Sequence, residues 1–130
     1  MTRDEFKVLV EEAIDSIPRR FAREIRNVAI VIEERPPADV LADMDMGPDD
    51  VLLGLYQGIP LPERQWAHGN TLPDRISLYQ RCIVEECEGD PDEIVVAIGE
   101  TLIHELGHYF GLSEDEIMEI EERYWRGEGA

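Results

Sequence analysis

His104, Glu105 and His108 stand as an H-E-x-x-H box inside Thr101 to Asp115, which reads T-L-I-H-E-L-G-H-Y-F-G-L-S-E-D. On a helix, residues four apart lie one turn apart on the same face, so His104 and His108 aim two imidazoles at one point. Two neutral imidazoles are the usual beginning of a zinc site. Glu105 is rotated by about 100° from His104 at 3.6 residues per turn. It therefore stands beside the metal rather than on it, where a carboxylate can hold a water and take its proton. The chemistry this spacing predicts is metal-assisted hydrolysis. An apolar helix could instead hide two histidines in a core. The adjacent Glu105 argues against that, because burying a carboxylate without a task is costly.

The residues after the box offer a third ligand. Gly111 comes three residues after His108, where a helix ends on a left-handed residue that glycine adopts without a Cβ clash. Ser113 and Glu116 have the capping-box form, Ser at the N-cap and Glu three residues on, so a new helix begins there. Its first turn carries Glu114 and Asp115, within reach of the open side of the metal. The full pattern is H-E-x-x-H-x-x-G-x-x-Glu, with Glu114 where the metzincins carry His.

These residues resemble the zincin metallopeptidases, and His104-Glu105-Leu106-Gly107-His108-Tyr109-Phe110-Gly111-Leu112 resembles the small bacterial mini-zincins in particular. The resemblance implies a minimal α+β zincin-like fold, with residues 1–130 as a single domain and a small twisted sheet packed against the active helix and flanking helices. It implies Zn²⁺ held by His104, His108 and an acidic third ligand, Glu114 with Asp115 as the alternative. Mini-zincins usually carry Asp at this place. It implies a peptide or protein substrate, hydrolysed by zinc-bound water that Glu105 activates. Zincin substrates pair with an antiparallel edge strand ahead of the active helix, which would be Ile76, Ser77, Leu78 and Tyr79. Tyr109 and Tyr124 are candidate oxyanion donors. Only 22 residues follow His108, too few for a lower subdomain with a Met-turn, and Met118 comes too early to form one. An open cleft follows, which a partner protein could complete. Three other readings stand beside this one: a gluzincin using Glu119 or Glu122, a deformylase-like site using Cys87, and a non-catalytic zinc-containing domain that binds peptides.

Composition narrows the partners. With 30 acidic and 12 basic residues the formal net charge is −18, which repels nucleic acid and anionic membranes. The excess is uneven, 16 acids to 4 bases in 66–130 against 14 to 8 in 1–65. No N-terminal apolar run resembles a signal peptide and no stretch is long enough to span a bilayer, so the expected location is cytoplasmic. Cys82 and Cys87 are then expected to be reduced, as core or helix residues.

The elements that must hold the site follow from local patterning. Thr2 and Glu5 form another capping box ahead of Phe6, Leu9, Val10, Ala13, Ile14 and Ile17 at helical spacing, and Pro18 ends that helix. Arg19, Arg20, Arg23 and Arg26 form the one basic cluster, expected to pair with acids. Asn27 to Glu34 reads as a buried strand and Val51 to Gln57 as a second. A short helix is expected around Val40 to Ala42. Its acidic surroundings, Asp39, Asp43, Asp45, Asp49 and Asp50, lack the calcium-loop arrangement and read as a solvated loop. Residues 58–74 form a long loop, in which Trp66 and His68 read as surface groups rather than cleft walls. Arg75 to Tyr79 alternates as a third strand, and 80–88 is a short helix or link. Asp90 caps the active helix, with Pro91 at its first position, Glu93 at its third and Phe110 at its end. Glu114 to Trp125 closes the chain, with Ile117, Ile120, Tyr124 and Met118 turned inward and a frayed tail beyond.

Overall fold

The computed structural model describes residues 1–47, 50–58 and 74–126. Among these residues, six α-helices and three short strands form an α+β fold. Helix α1 (Arg3–Ser16) opens on Thr2, whose side chain accepts from the Glu5 amide while Glu5 reaches back to the Thr2 amide. Phe6, Val10 and Ala13 form its buried stripe. After Pro18 the basic segment folds as α2 (Arg19–Glu24) and a 3-10 turn, Ile25–Asn27. Arg20 lies over the rings of Phe21 and Phe110, 5.4 and 4.9 Å from their centroids, tying α2 to the end of the active helix.

The sheet runs β1 (Ala29–Glu33), β3 (Arg75–Tyr79), β2 (Gly54–Gln57) in spatial order. β1 is parallel to β3, with Ile30 opposite Ile76, and β2 is antiparallel to it, with Leu55 opposite Ser77. Two expectations are corrected here. β3 is the central strand, so Ile76, Ser77, Leu78 and Tyr79 offer no edge for a substrate to join. All four are buried, and both of their hydrogen-bonding sides are taken by neighbouring strands. β1, expected to be buried, is itself an edge, with Ala29 exposed and the rest half-covered. Between β1 and β2 lies α3 (Ala38–Asp43), the short helix anticipated there.

Helix α4 (Gln80–Glu86) carries Cys82 and ends at Cys87, both free thiols whose pKa burial pushes up. It leads to the long helix α5 (Pro91–Phe110). Asp90 caps α5 by accepting from the Asp92 amide at 3.0 Å. The helix stays apolar along the face that meets α1 and the sheet, where Ile94, Ile98, Leu102 and Leu106 join Phe6, Ile76 and Leu78 in the core. At its end Gly111 takes φ 76° and ψ 25°, the left-handed conformation. The Leu112 amide donates to the Gly107 carbonyl and the Gly111 amide to the His108 carbonyl, a Schellman closure. The chain reverses, and α6 (Glu114–Trp125) starts on the Ser113–Glu116 capping box.

Helix α6 runs back along α5 because α5 is grooved to receive it. A Cβ at Gly107 would lie 2.5 Å from Ile117 Cγ1, and one at Gly99 would lie 2.0 Å from the Tyr124 hydroxyl. Glycine costs about 1 kcal/mol relative to alanine inside a helix. Here it lets Ile117 and Tyr124 settle onto the α5 backbone, with the Tyr124 hydroxyl 3.1 Å from Ser16 Oγ. Met118, expected inward, is exposed. Residues 48–49, 59–73 and 127–130, including Asp49, Trp66, His68 and the expected tail, lie outside the described residues.

Candidate metal centre

The two glycine contacts place the middle of α6 over His104 and His108. Glu114 and Glu121 are two turns apart and share one face of α6. His104 and His108 share one face of α5, with ring centroids 4.8 Å apart. Because the helices run antiparallel, Glu114 meets His108 and Glu121 meets His104. His108 Nε2 is 3.1 Å from Glu114 Oε1, and His104 Nε2 is 3.8 Å from Glu114 Oε2. The Nε2 atoms of both rings thus face one carboxylate. Asp115, the alternative third ligand, is exposed.

Behind His104, its Nδ1 meets Glu121 Oε1 at 3.1 Å. An ionised carboxylate only accepts, so the tautomer of His104 that suits this contact is the one with its proton on Nδ1. The sequence reading missed Glu121 and weighed Glu119 and Glu122 instead. Glu119 is exposed and paired with Arg123 at 3.0 Å, and Glu122 faces solvent. The available signal was the seven-residue step from Glu114, which puts Glu121 on the same face.

Glu105 is only 7% exposed. Its Oε1 accepts the Tyr56 amide proton at 2.7 Å and lies 3.8 Å from His108 Nδ1. The Tyr56 amide is on the side of β2 that pairs with no strand among the described residues, and β2 approaches α5 closely enough that a Cβ at Gly54 would strike Thr101 Cγ2 at 2.5 Å. Burial pushes the Glu105 carboxyl above its ordinary range, and the Tyr56 amide and the two histidines pull it back in part. Tyr109 and Tyr124 are engaged elsewhere. The Tyr109 hydroxyl donates to Glu24 Oε2 at 3.2 Å, and the Tyr124 hydroxyl lies 3.1 Å from Ser16 Oγ.

The cleft holds about 430 Å³. One wall is apolar, made by Met44, Leu52, Leu53 and Leu55; the other is α5, with Glu100 and Glu121 at one end. Glu100 accepts from the Trp125 indole, and burial raises its pKa, with Glu121 adding to the rise. His104, Glu105 and His108 offer ligand atoms within 4.8 Å of one another, so the two imidazoles and a carboxylate are gathered where a cation could sit. Nitrogen and carboxylate donors are what a zinc ion takes. Neither cysteine belongs to this cluster among the described residues, which counts against the deformylase-like arrangement.

No helix among the described residues is long and apolar enough to cross a membrane. Comparison with curated proteins yields no match. A family model described as zincin-like metallopeptidase matches residues 25–124, which take in the sheet, the active helix and nearly all of α6. The chain belongs to the zincin-like metallopeptidase family.

Proposed function

We propose that the protein is a zinc-dependent peptidase in which His104, His108 and Glu114 hold the metal and Glu105 is the general base. The observation that carries this reading is the placement of Glu105. It is a buried carboxylate beside two histidines, held by a backbone amide and opening on a cleft. A purely structural metal site has no use for it. A bound zinc ion would polarise the scissile carbonyl and make water easier to deprotonate.

The chain's own groups supply the rest. The Tyr56 amide fixes one oxygen of Glu105 and leaves the other to take a proton from the attacking water. Burial brings the base nearer neutrality, which suits a group that must take a proton and give it back. As the C–N bond breaks, Glu105 returns that proton to the departing amine. The peptide lies between β2 and α5, because β2 is the strand whose free side faces the histidines. The Met44, Leu52, Leu53 and Leu55 wall suits an apolar side chain beside the scissile bond.

The test is digestion of a defined peptide mixture by the zinc-loaded protein, with new termini identified by mass spectrometry. New termini from the wild type that are absent with Glu105→Gln support the reading. Equal cleavage by both proteins removes Glu105 from its role, and no cleavage by either removes the peptidase activity.

A further inference from the structure

With the reading of His104, His108 and Glu114 as the metal centre as its premise, we propose that Glu121 is the positioning residue for His104. It fixes the tautomer and plane of that ring so that Nε2, not Nδ1, is presented to the cation. Three observations carry this. First, Glu121 Oε1 is 3.1 Å from His104 Nδ1, on the side of the ring away from Glu114. A proton held at Nδ1 leaves the Nε2 lone pair free, and Nε2 is the atom facing Glu114.

Second, Glu121 is not free to wander. Its side chain is 18% exposed against 70% for Glu114. It is set between Ile117 and Tyr124, which seat α6 in the two glycine notches of α5. One turn on, Trp125 donates to Glu100, one turn before His104 on α5, so the two helices are clasped on both sides of the contact. A carboxylate held this way keeps its partner ring oriented at little further entropic cost.

Third, the two histidines differ. The nearest carboxylate to His108 Nδ1 is Glu105 at 3.8 Å, beyond hydrogen-bond distance and assigned to the proton. Of these two, His104 is the one with a dedicated acceptor among the described residues, so its contribution to metal affinity rests on Glu121 to a degree that His108's does not. Glu121 acts through His104 and touches neither metal nor substrate. An additional ligand would have to reach the cation, and a carboxylate bound at Nδ1 sits on the wrong edge of the imidazole.

The experiment measures zinc dissociation constants by chelator competition, together with the visible absorption of the Co²⁺ form, for wild type, Glu121→Gln, Glu121→Ala and His104→Ala. Loss of an outer carboxylate on a metal-bound histidine typically weakens affinity about 10- to 100-fold. That loss is expected for Glu121→Ala, still with one metal per chain and with a shifted Co²⁺ band. The glutamine carbonyl still accepts from Nδ1–H, so Glu121→Gln should recover most of the affinity. The metal-free melting temperatures of wild type and Glu121→Gln should agree, which separates positioning from a folding role.

Wild-type affinity in Glu121→Ala overturns the proposal. So does a glutamine variant as deficient as His104→Ala, which would make Glu121 a ligand. A wild type that takes up no zinc overturns the metal-centre reading itself, and this proposal with it.

Discussion

The two elements that flank the α5 histidines, β2 and α6, work by different means. On the sheet side, β2 contributes a backbone amide and Leu55, with Leu52 and Leu53 just before it, and its polar contact with the centre is the Tyr56 N–H on Glu105. On the α6 side the contacts are carboxylates on imidazoles, Glu114 with both rings and Glu121 with His104. A backbone donor cannot change its charge and moves only with the strand. A carboxylate adds charge, which a cation needs but which repels its neighbours when the cation is gone. On the proposed reading the sheet side therefore holds the base, and the α6 side governs how tightly the centre would hold a metal. Catalysis and metal affinity should accordingly respond to different substitutions.

The sharpest separation comes from a pair of glutamine variants. Glu105→Gln should lower kcat by about 10²- to 10⁴-fold, the usual contribution of a general base, while its zinc dissociation constant stays near that of wild type. Glu114→Gln should do the reverse, with weakened zinc binding measured by chelator competition. Parallel losses in both quantities for both variants would break the comparison.

Metal removal comes next in size. At zinc one hundred times its dissociation constant the ion adds about 2.7 kcal/mol to folding, so chelation should lower the wild-type Tm by on the order of 10 °C. The drop should be smaller in Glu114→Gln, which binds the ion less tightly and carries less uncompensated charge without it. Equal shifts in the two proteins, followed by calorimetry, would remove Glu114 from the ligand set.

A smaller effect tests the groove that seats α6. Gly107→Ala puts a Cβ 2.5 Å from Ile117 Cγ1. Overpacking of this kind costs about 1–3 kcal/mol, offset by about 1 kcal/mol of improved helix propensity. Urea denaturation should show a net loss, and zinc should bind more weakly because Glu114 and Glu121 are lifted from the rings. Unchanged zinc affinity would mean that α6 does not set the ligand geometry.

The smallest effect is a pH dependence carried by the sheet wall. In the metal-free protein, burial raises the Glu105 pKa above its ordinary value of 4.5. A raised carboxyl pKa means the folded state binds more protons than the unfolded state, so stability falls as pH rises through that window. The favourable contribution is complete below about 4.5 and gone once pH exceeds the folded pKa. Relative to Glu105→Gln, metal-free wild type should therefore lose Tm as pH rises above about 4.5. A difference that is flat with pH would remove the cost of burying this charge.

The parts of this protein legible in its sequence are those decided by neighbours in the chain. Asp90, Pro91 and Gly111 bound α5 through local capping chemistry, and Ser113 with Glu116 starts α6 in the same way. The H-E-x-x-H box needed only helical periodicity to bring two imidazoles together. Sheet order is different. Arg75 to Tyr79 alternates like a half-exposed strand, yet Ser77 and Tyr79 are as buried as Ile76 and Leu78, because β1 and β2 flank them from distant parts of the chain. Nothing local in R-I-S-L-Y distinguishes a central strand from an edge. Glu121 was hidden for the same reason, since its role depends on where Gly99 and Gly107 let α6 dock. The mini-zincin likeness pointed to Glu114 and Asp115, and the geometry brings Glu114 to both rings while Asp115 faces solvent.

The central claim is that His104, His108 and Glu114 form a metal centre, and elemental analysis addresses it most directly. Wild type and His108→Ala would be purified without a metal-affinity tag and their zinc measured per chain. One zinc in wild type and none in the variant is the predicted result. Wild type without metal, and without uptake when zinc is titrated in, would contradict the account.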